Sequence, residues 1–156
     1  MTRLRFVLIL LALGASPLAQ GVSSPHAAMA MGFDQEKTTH HFHLFTDGGA
    51  IDVSVKDVKD RKNLEAIRAH LPHIVEMFKQ GDFSVPMLVH QTEVPGAQDL
   101  KRAAARISYR YAETPAGGRV DIVSTDADAL KAVHAFLKFQ ITDHKTGDSL
   151  EVTRRR

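Results

Sequence analysis

Two stretches of the chain alternate apolar and polar residues, pass a turn, alternate again, and then change to a helical period. In the first, His40-His41-Phe42-His43-Leu44-Phe45 leads into the turn signal Asp47-Gly48-Gly49. Ile51, Val53 and Val55 then alternate with Asp52, Ser54 and Lys56. Period-two alternation on both sides of a glycine turn predicts a β-hairpin, with Phe42, Leu44, Ile51, Val53 and Val55 facing a core. Leu64, Ile67, Leu71, Ile74 and Phe78 follow at helical spacing and predict a helix over 62–79. Pro72 falls inside that pattern. An interior proline removes a backbone hydrogen bond and costs about 3 kcal/mol, so a kink or restart is expected there. Gly81 is the expected stop.

Residues 82–97 hold two prolines and a glycine and read as a loop, with a short strand at 87–90. A short helix over 98–105 comes next. Ile107, Tyr109 and Tyr111 predict a third strand, Pro115-Ala116-Gly117-Gly118 a turn, and Val120 and Ile122 a fourth strand. Asp126 is placed to cap a last helix over 127–144, with Leu130, Val133, Leu137 and Ile141 on its apolar side. The order strand, Gly-Gly turn, strand, helix therefore occurs twice. GGAIDVSV and LEAIRAHL in the first copy match GGRVDIVS and LKAVHAFL in the second. The expected fold class is α+β: two ββα units forming a four-stranded, mainly antiparallel sheet with the helices packed on one face.

The beginning of the chain follows a different plan. Arg3 and Arg5 precede the unbroken apolar run Phe6–Leu13, and Ala28-Met29-Ala30 supplies a small-x-small cleavage pattern. This is the layout of an export signal. The run is shorter than the roughly 20 residues a membrane-spanning helix needs. The expected organisation is a signal peptide over 1–30, one α+β domain over 31–150, and a basic tail over 151–156. After cleavage the protein has no stable membrane span, and its expected location is periplasmic or secreted.

Charge and cysteine content then narrow the function. The chain has 20 Lys and Arg against 18 Asp and Glu. Removing Arg3 and Arg5 with the leader leaves 18 against 18, which argues against nucleic acid as a partner. Arg154-Arg155-Arg156 reads as a solvated, frayed end. There is no cysteine, which excludes thiolate metal sites, thiol nucleophiles and c-type haem attachment. No G-x-S-x-G elbow, H-E-x-x-H helix or phosphate-cradling glycine loop occurs.

Histidine is the unusual component, with nine in the chain. Strand alternation puts His41 and His43 on one face, opposite the strand carrying Asp52 and Ser54, and His40 on the other. On the first helix His70, His73 and Met77 fall within an arc of about 60°. Met87 and His90 follow in the next segment. Imidazole and thioether donors suit zinc or copper. The candidate metal ligands are His40, His41, His43, His70, His73 and His90. His144 projects near the apolar side of the last helix, where a histidine more commonly serves as a core or capping group.

The segments MGFDQEKTTHHF (31–42), IRAHLPHI (67–74), GDFSVP (81–86) and FLKFQITDHKTGD (136–148) resemble an uncharacterised family of small bacterial exported proteins. The resemblance extends over nearly all of the chain after residue 30. It implies a periplasmic or secreted bacterial domain and carries no activity with it. The leading expectation is an exported protein that binds copper or zinc through histidines. The alternative is a metal-free interaction domain that contacts another periplasmic protein or forms a homodimer through the sheet. Catalysis by a histidine general base is a third reading, to be favoured by a pocket that holds a histidine beside a carboxylate.

Overall fold

The computed structural model describes residues 31–155; the expected leader lies outside the described residues. A four-stranded antiparallel sheet carries the helices on one face. Its strands are β1 (Thr38–Phe45), β2 (Gly48–Val55), β3 (Ser108–Thr114) and β4 (Gly117–Val123), in the spatial order β1-β2-β4-β3. The helices are α1 (Arg61–Lys79), α2 (Ser84–His90), α3 (Ala97–Arg102) and α4 (Ala127–His144). Short 3-10 turns at Gln35–Lys37 and Ala104–Arg106 lead into β1 and β3.

Both ββα units form as the sequence pattern predicts, and their central strands pair with each other. Ile51 and Val120 occupy equivalent positions in the two copies, and they face each other in the β2–β4 register. A local two-fold relation therefore passes between them. The helices exchange partners across it: α1 packs over β3 and β4, and α4 over β1 and β2. Leu71 of α1 sits against Gly118 of the second hairpin, while Leu137 of α4 sits where a side chain on Gly49 of the first would go. The two leucines are themselves equivalent in the repeat. A Cβ at either glycine would collide with the leucine, so the bare backbone lets each helix close onto the sheet. Each hairpin thus hides its apolar face under the other unit's helix.

The core follows from the periodicities. Phe42, Leu44, Ile51, Val53 and Val55 are buried beneath the helices, as are Leu64, Ile67, Leu71, Ile74 and Phe78 on α1. Val133, Phe136, Leu137 and Ile141 of α4 close the far side. Asp60 caps α1 by accepting from the Asn63 amide, and Asp126 caps α4 by accepting from the Ala129 amide. Each such cap is worth about 1 kcal/mol.

Three local expectations are corrected. Helix α1 runs unbroken through Pro72, with no restart; burial of Ile67, Leu71, Ile74 and Phe78 on one continuous stripe outweighs the lost hydrogen bond. Residues 84–90 form helix α2 and not a strand within a loop. Pro86 falls in its first turn, where the missing N–H costs nothing. Val85 and Val89, four apart, then share the inward side. The third correction concerns the chain end. Thr153 pairs in parallel with Phe45 at the outer edge of β1, exchanging backbone hydrogen bonds with Leu44 and Thr46. Arg155 is docked rather than frayed. It bonds Asp47, Asp121 and the carbonyls of Gly49 and Ile122, and its guanidinium lies 4.4 Å from the Phe45 ring centre.

Candidate functional site

Alternation along β1 sends its three histidines to opposite faces of the sheet. His41 and His43 lie on the open face, and each meets an aspartate. His41 Nδ1–H donates to Asp148 Oδ1 at 2.9 Å, and His43 Nε2–H donates to Asp52 Oδ2 at 2.8 Å. Asp148 also accepts from the Phe42 amide at 2.9 Å. Burial alone would raise the Asp148 carboxyl, but hydrogen bonds from Thr146, the Phe42 amide and His41 hold it below the usual carboxylate value. Asp52 is shared with Arg119 at 3.0 Å, and Arg119 also reaches Asp121. With Arg155 on Asp47 and Asp121, these groups form a charged sheet surface closed by partners within the chain. Over β1, β2 and β4 the open face is therefore occupied by its own polar pairs and by the end of the chain, while Ser108, Arg110 and Ala112 of β3 stay exposed on it.

His40 points the other way, under the helices. It lines a cavity of about 70 Å³ together with Met31, Phe33, His70, His90 and His144. Four imidazoles are brought here from four separate segments: β1, the middle of α1, the last residue of α2 and the last residue of α4. The ring centres of His40 and His144 are 5.4 Å apart, and those of His90 and His144 are 5.0 Å apart. Phe33 stacks on His40 and meets His70 edge-on, with ring-centre distances of 5.9 and 5.6 Å. Apart from the four histidines and Gln140, the walls are apolar, with Phe42, Ile74, Phe78, Val89 and Phe136 among them. Among the described residues no carboxylate lines the cavity.

His90 differs from its neighbours because both of its nitrogens are engaged. Nδ1–H donates to Asp143 Oδ2 at 2.7 Å, and Nε2 lies 2.9 Å from the Gln140 carboxamide. The amide nitrogen of that carboxamide is buried without a partner among the described residues. His90 therefore positions the cavity wall. His40 Nε2, by contrast, is fully buried and has no hydrogen-bond partner among the described residues. Leaving a buried polar atom unpaired costs about 1–3 kcal/mol. Burial, and then the adjacent His144, His70 and His41, lower His40 to about 3. Burial and the nearby His73 lower His70 to about 4. Burial and His90 lower His144 to about 4, against a small upward pull from Asp143. All three rings are therefore neutral at pH 7, and each has a lone pair to donate. Such weak bases suit proton abstraction poorly, even though the His90–Asp143 pair does place a carboxylate beside the pocket. They suit ligation, because no proton competes for the nitrogen.

Of the six histidines proposed from sequence, the fold brings His40, His70 and His90 together. His41 and His43 lie on the opposite side of the sheet. His73 is exposed on α1, Met77 packs at the core margin, and Met87 points outward. The cavity adds His144 and Met31. His144 follows Ile141 by three residues on the buried side of α4, and that spacing was the available signal for it. Met31 offered none, because the turn that folds it back onto α1 is tertiary. The remaining described histidine, His134, lies with Nε2 2.9 and 3.1 Å from the carbonyls of Phe45 and Gly48, and so ties α4 to the first turn. Among the described residues, no three histidine or carboxylate side chains already stand in metal-ligating geometry. None of the described helices is long and apolar enough to cross a membrane.

No protein-family model matches the chain, and neither a curated protein nor a solved structure matches it significantly.

Proposed function

We propose that this is an exported, periplasmic or secreted bacterial protein that binds a transition metal, copper or zinc, in the inner histidine cavity, for buffering or delivery. The observation that carries this reading is the convergence of imidazoles from distant segments around a buried His40 nitrogen that no other group of the described residues hydrogen-bonds. Two imidazoles on one ion, each with a metal–nitrogen bond of about 2.0–2.1 Å, place their ring centres roughly 5–6 Å apart. The His40–His144 spacing of 5.4 Å falls in that range. His40 and His144 are the principal ligands in this reading, and His70 is the third imidazole at hand. His90 is held by Asp143 and Gln140 and serves as support.

Export rests on the leader pattern and on the resemblance to small exported bacterial proteins. The test is titration calorimetry of protein purified from a secreting host without a polyhistidine tag, using copper and zinc salts. One ion per chain is expected. His40→Ala and His144→Ala should each weaken binding by about 10–100-fold, while the double variant His41→Ala/His43→Ala should bind as the parent does. Equal loss in the outer double variant would remove the inner cavity as the site. Absence of binding in the folded parent would end the metal reading.

A further inference from the structure

We infer that the inner cluster selects a soft monovalent ion, copper(I), over zinc(II), with Met31 as a thioether donor beside His40 and His144. This rests on the metal-binding reading above and assigns the ion and one further ligand. Among the described residues no anionic donor faces the cavity: its lining offers imidazoles, the Met31 sulfur and the Gln140 amide. Asp143 lies at the rim and is engaged by His90. The energy of moving an ion from water to an apolar site grows with the square of its charge, so a dication pays about four times the penalty of a monocation. Zinc sites commonly offset that penalty with thiolates or carboxylates, and this chain has no cysteine and puts no acid in the cavity.

Coordination number points to the same ion. Structural zinc demands four ligands in a tetrahedron. The cavity presents two imidazoles with ring centres 5.4 Å apart, with Met31 and His70 on its walls, and no ready group of three histidines or carboxylates among the described residues. Copper(I) is content with two or three soft or borderline donors, and thioether ligation favours it specifically. Phe33 and Phe42 stack on the His40 ring, an apolar surrounding that favours a monovalent ion held by neutral ligands.

The test uses the untagged protein under anaerobic conditions. Copper(I) is delivered from a chromophoric copper(I) chelator in competition, and zinc(II) is measured in parallel against a chromophoric zinc chelator. One copper(I) per chain is expected, held at least about 100-fold more tightly than zinc(II). X-ray absorption of the copper(I) form should show nitrogen and one sulfur scatterer, and Met31→Leu should abolish the sulfur contribution while leaving the fold intact by circular dichroism. Zinc(II) bound as tightly as copper(I), with both lost in His40→Ala, would overturn the selectivity and leave the metal reading standing. A copper(I) spectrum without sulfur would overturn the role of Met31. Failure of the folded parent to bind either ion would overturn this inference and the metal reading together.

Discussion

The two faces of β1 treat the same side chain in opposite ways. On the open face His41 and His43 are half-buried to exposed, and each is matched by an aspartate, Asp148 or Asp52. One residue away in sequence, His40 lies under the helices beside other histidines and, among the described residues, faces no acid. The outer pairs sit in high dielectric, where an ion pair is worth about 0–1 kcal/mol. The inner rings sit where their charged form is excluded. Histidine content alone therefore says little about chemistry. Strand parity decides whether an imidazole is matched to an aspartate on the surface or stands as an uncommitted donor in an apolar cavity.

The largest expected consequence of this difference is acid lability of the metal-free protein. His40, His70 and His144 are lowered in the folded state to about 3, 4 and 4. The unfolded chain takes up protons on these rings near pH 6.5, so it binds more protons than the folded chain at any pH between the two values. Stability is complete above about pH 6.5 and falls as pH drops toward 4. The facing groups that modulate this are His41, His73 and His90, which oppose protonation, and Asp143, which favours it at His144. The summed loss is on the order of several kcal/mol, a large share of a typical domain's 5–15 kcal/mol. Denaturant melts at pH 7, 5.5 and 4.5 should show it, and His40→Phe should flatten the slope. A stability profile level between pH 7 and 4.5 would contradict the buried neutral state of these rings.

Much of this architecture is legible in the sequence, and the parts that are not have identifiable causes. Period-two and helical spacing locate β1, β2, β4, α1 and α4 because each buries one face. The double ββα plan and the parity of His40 against His41 and His43 follow from the same spacing. Helix α2 hides behind Pro86, whose first-turn position is invisible until the N-terminus of the helix is known. The exchange of helices between hairpins is a tertiary choice, although the paired glycines Gly49 and Gly118 mark where Leu137 and Leu71 come down. The site is half legible for a related reason. His40 and His70 belong to segments with strong patterns, His90 ends a helix that the sequence pattern conceals, and only the packing of α4 on β1 shows that His144 completes them. Arg155 reads as a frayed tail because its partners, Asp47 and Asp121, are 108 and 34 residues away.

Removing Arg155 sharpens the contrast from the outer side. Its guanidinium bonds two aspartates and two carbonyls and stacks on Phe45. Arg155→Ala frees Asp47 to solvent and leaves Asp121 to Arg119, so the cost should be about 2 kcal/mol, or roughly 5–10 °C in Tm. Metal affinity should be unchanged, since the tail and the cavity lie on opposite faces. A thermal melt checks the first statement and a titration the second. A Tm within 1–2 °C of the parent (about 0.5 kcal/mol or less) would show that the tail is not docked in solution.

The smallest effect is expected at His43. Its Nε2–H bonds Asp52, but Arg119 holds the same carboxylate at 3.0 Å. His43→Gln leaves Asp52 paired and keeps a donor within reach, so the loss should be at most about 0.5 kcal/mol. Stacking of the His43 ring on Phe45, with centres 6.0 Å apart, is the remaining contribution. The same substitution at His40 removes an imidazole from the cavity and inserts an amide among apolar walls, where its unpaired groups cost about 1–3 kcal/mol. Comparing the two glutamine variants by urea melts at pH 7.5, where neither result depends on acid, isolates the effect of sheet face alone. Equal destabilisation would mean that strand parity does not separate the two environments, and the division between committed and uncommitted histidines would fail with it.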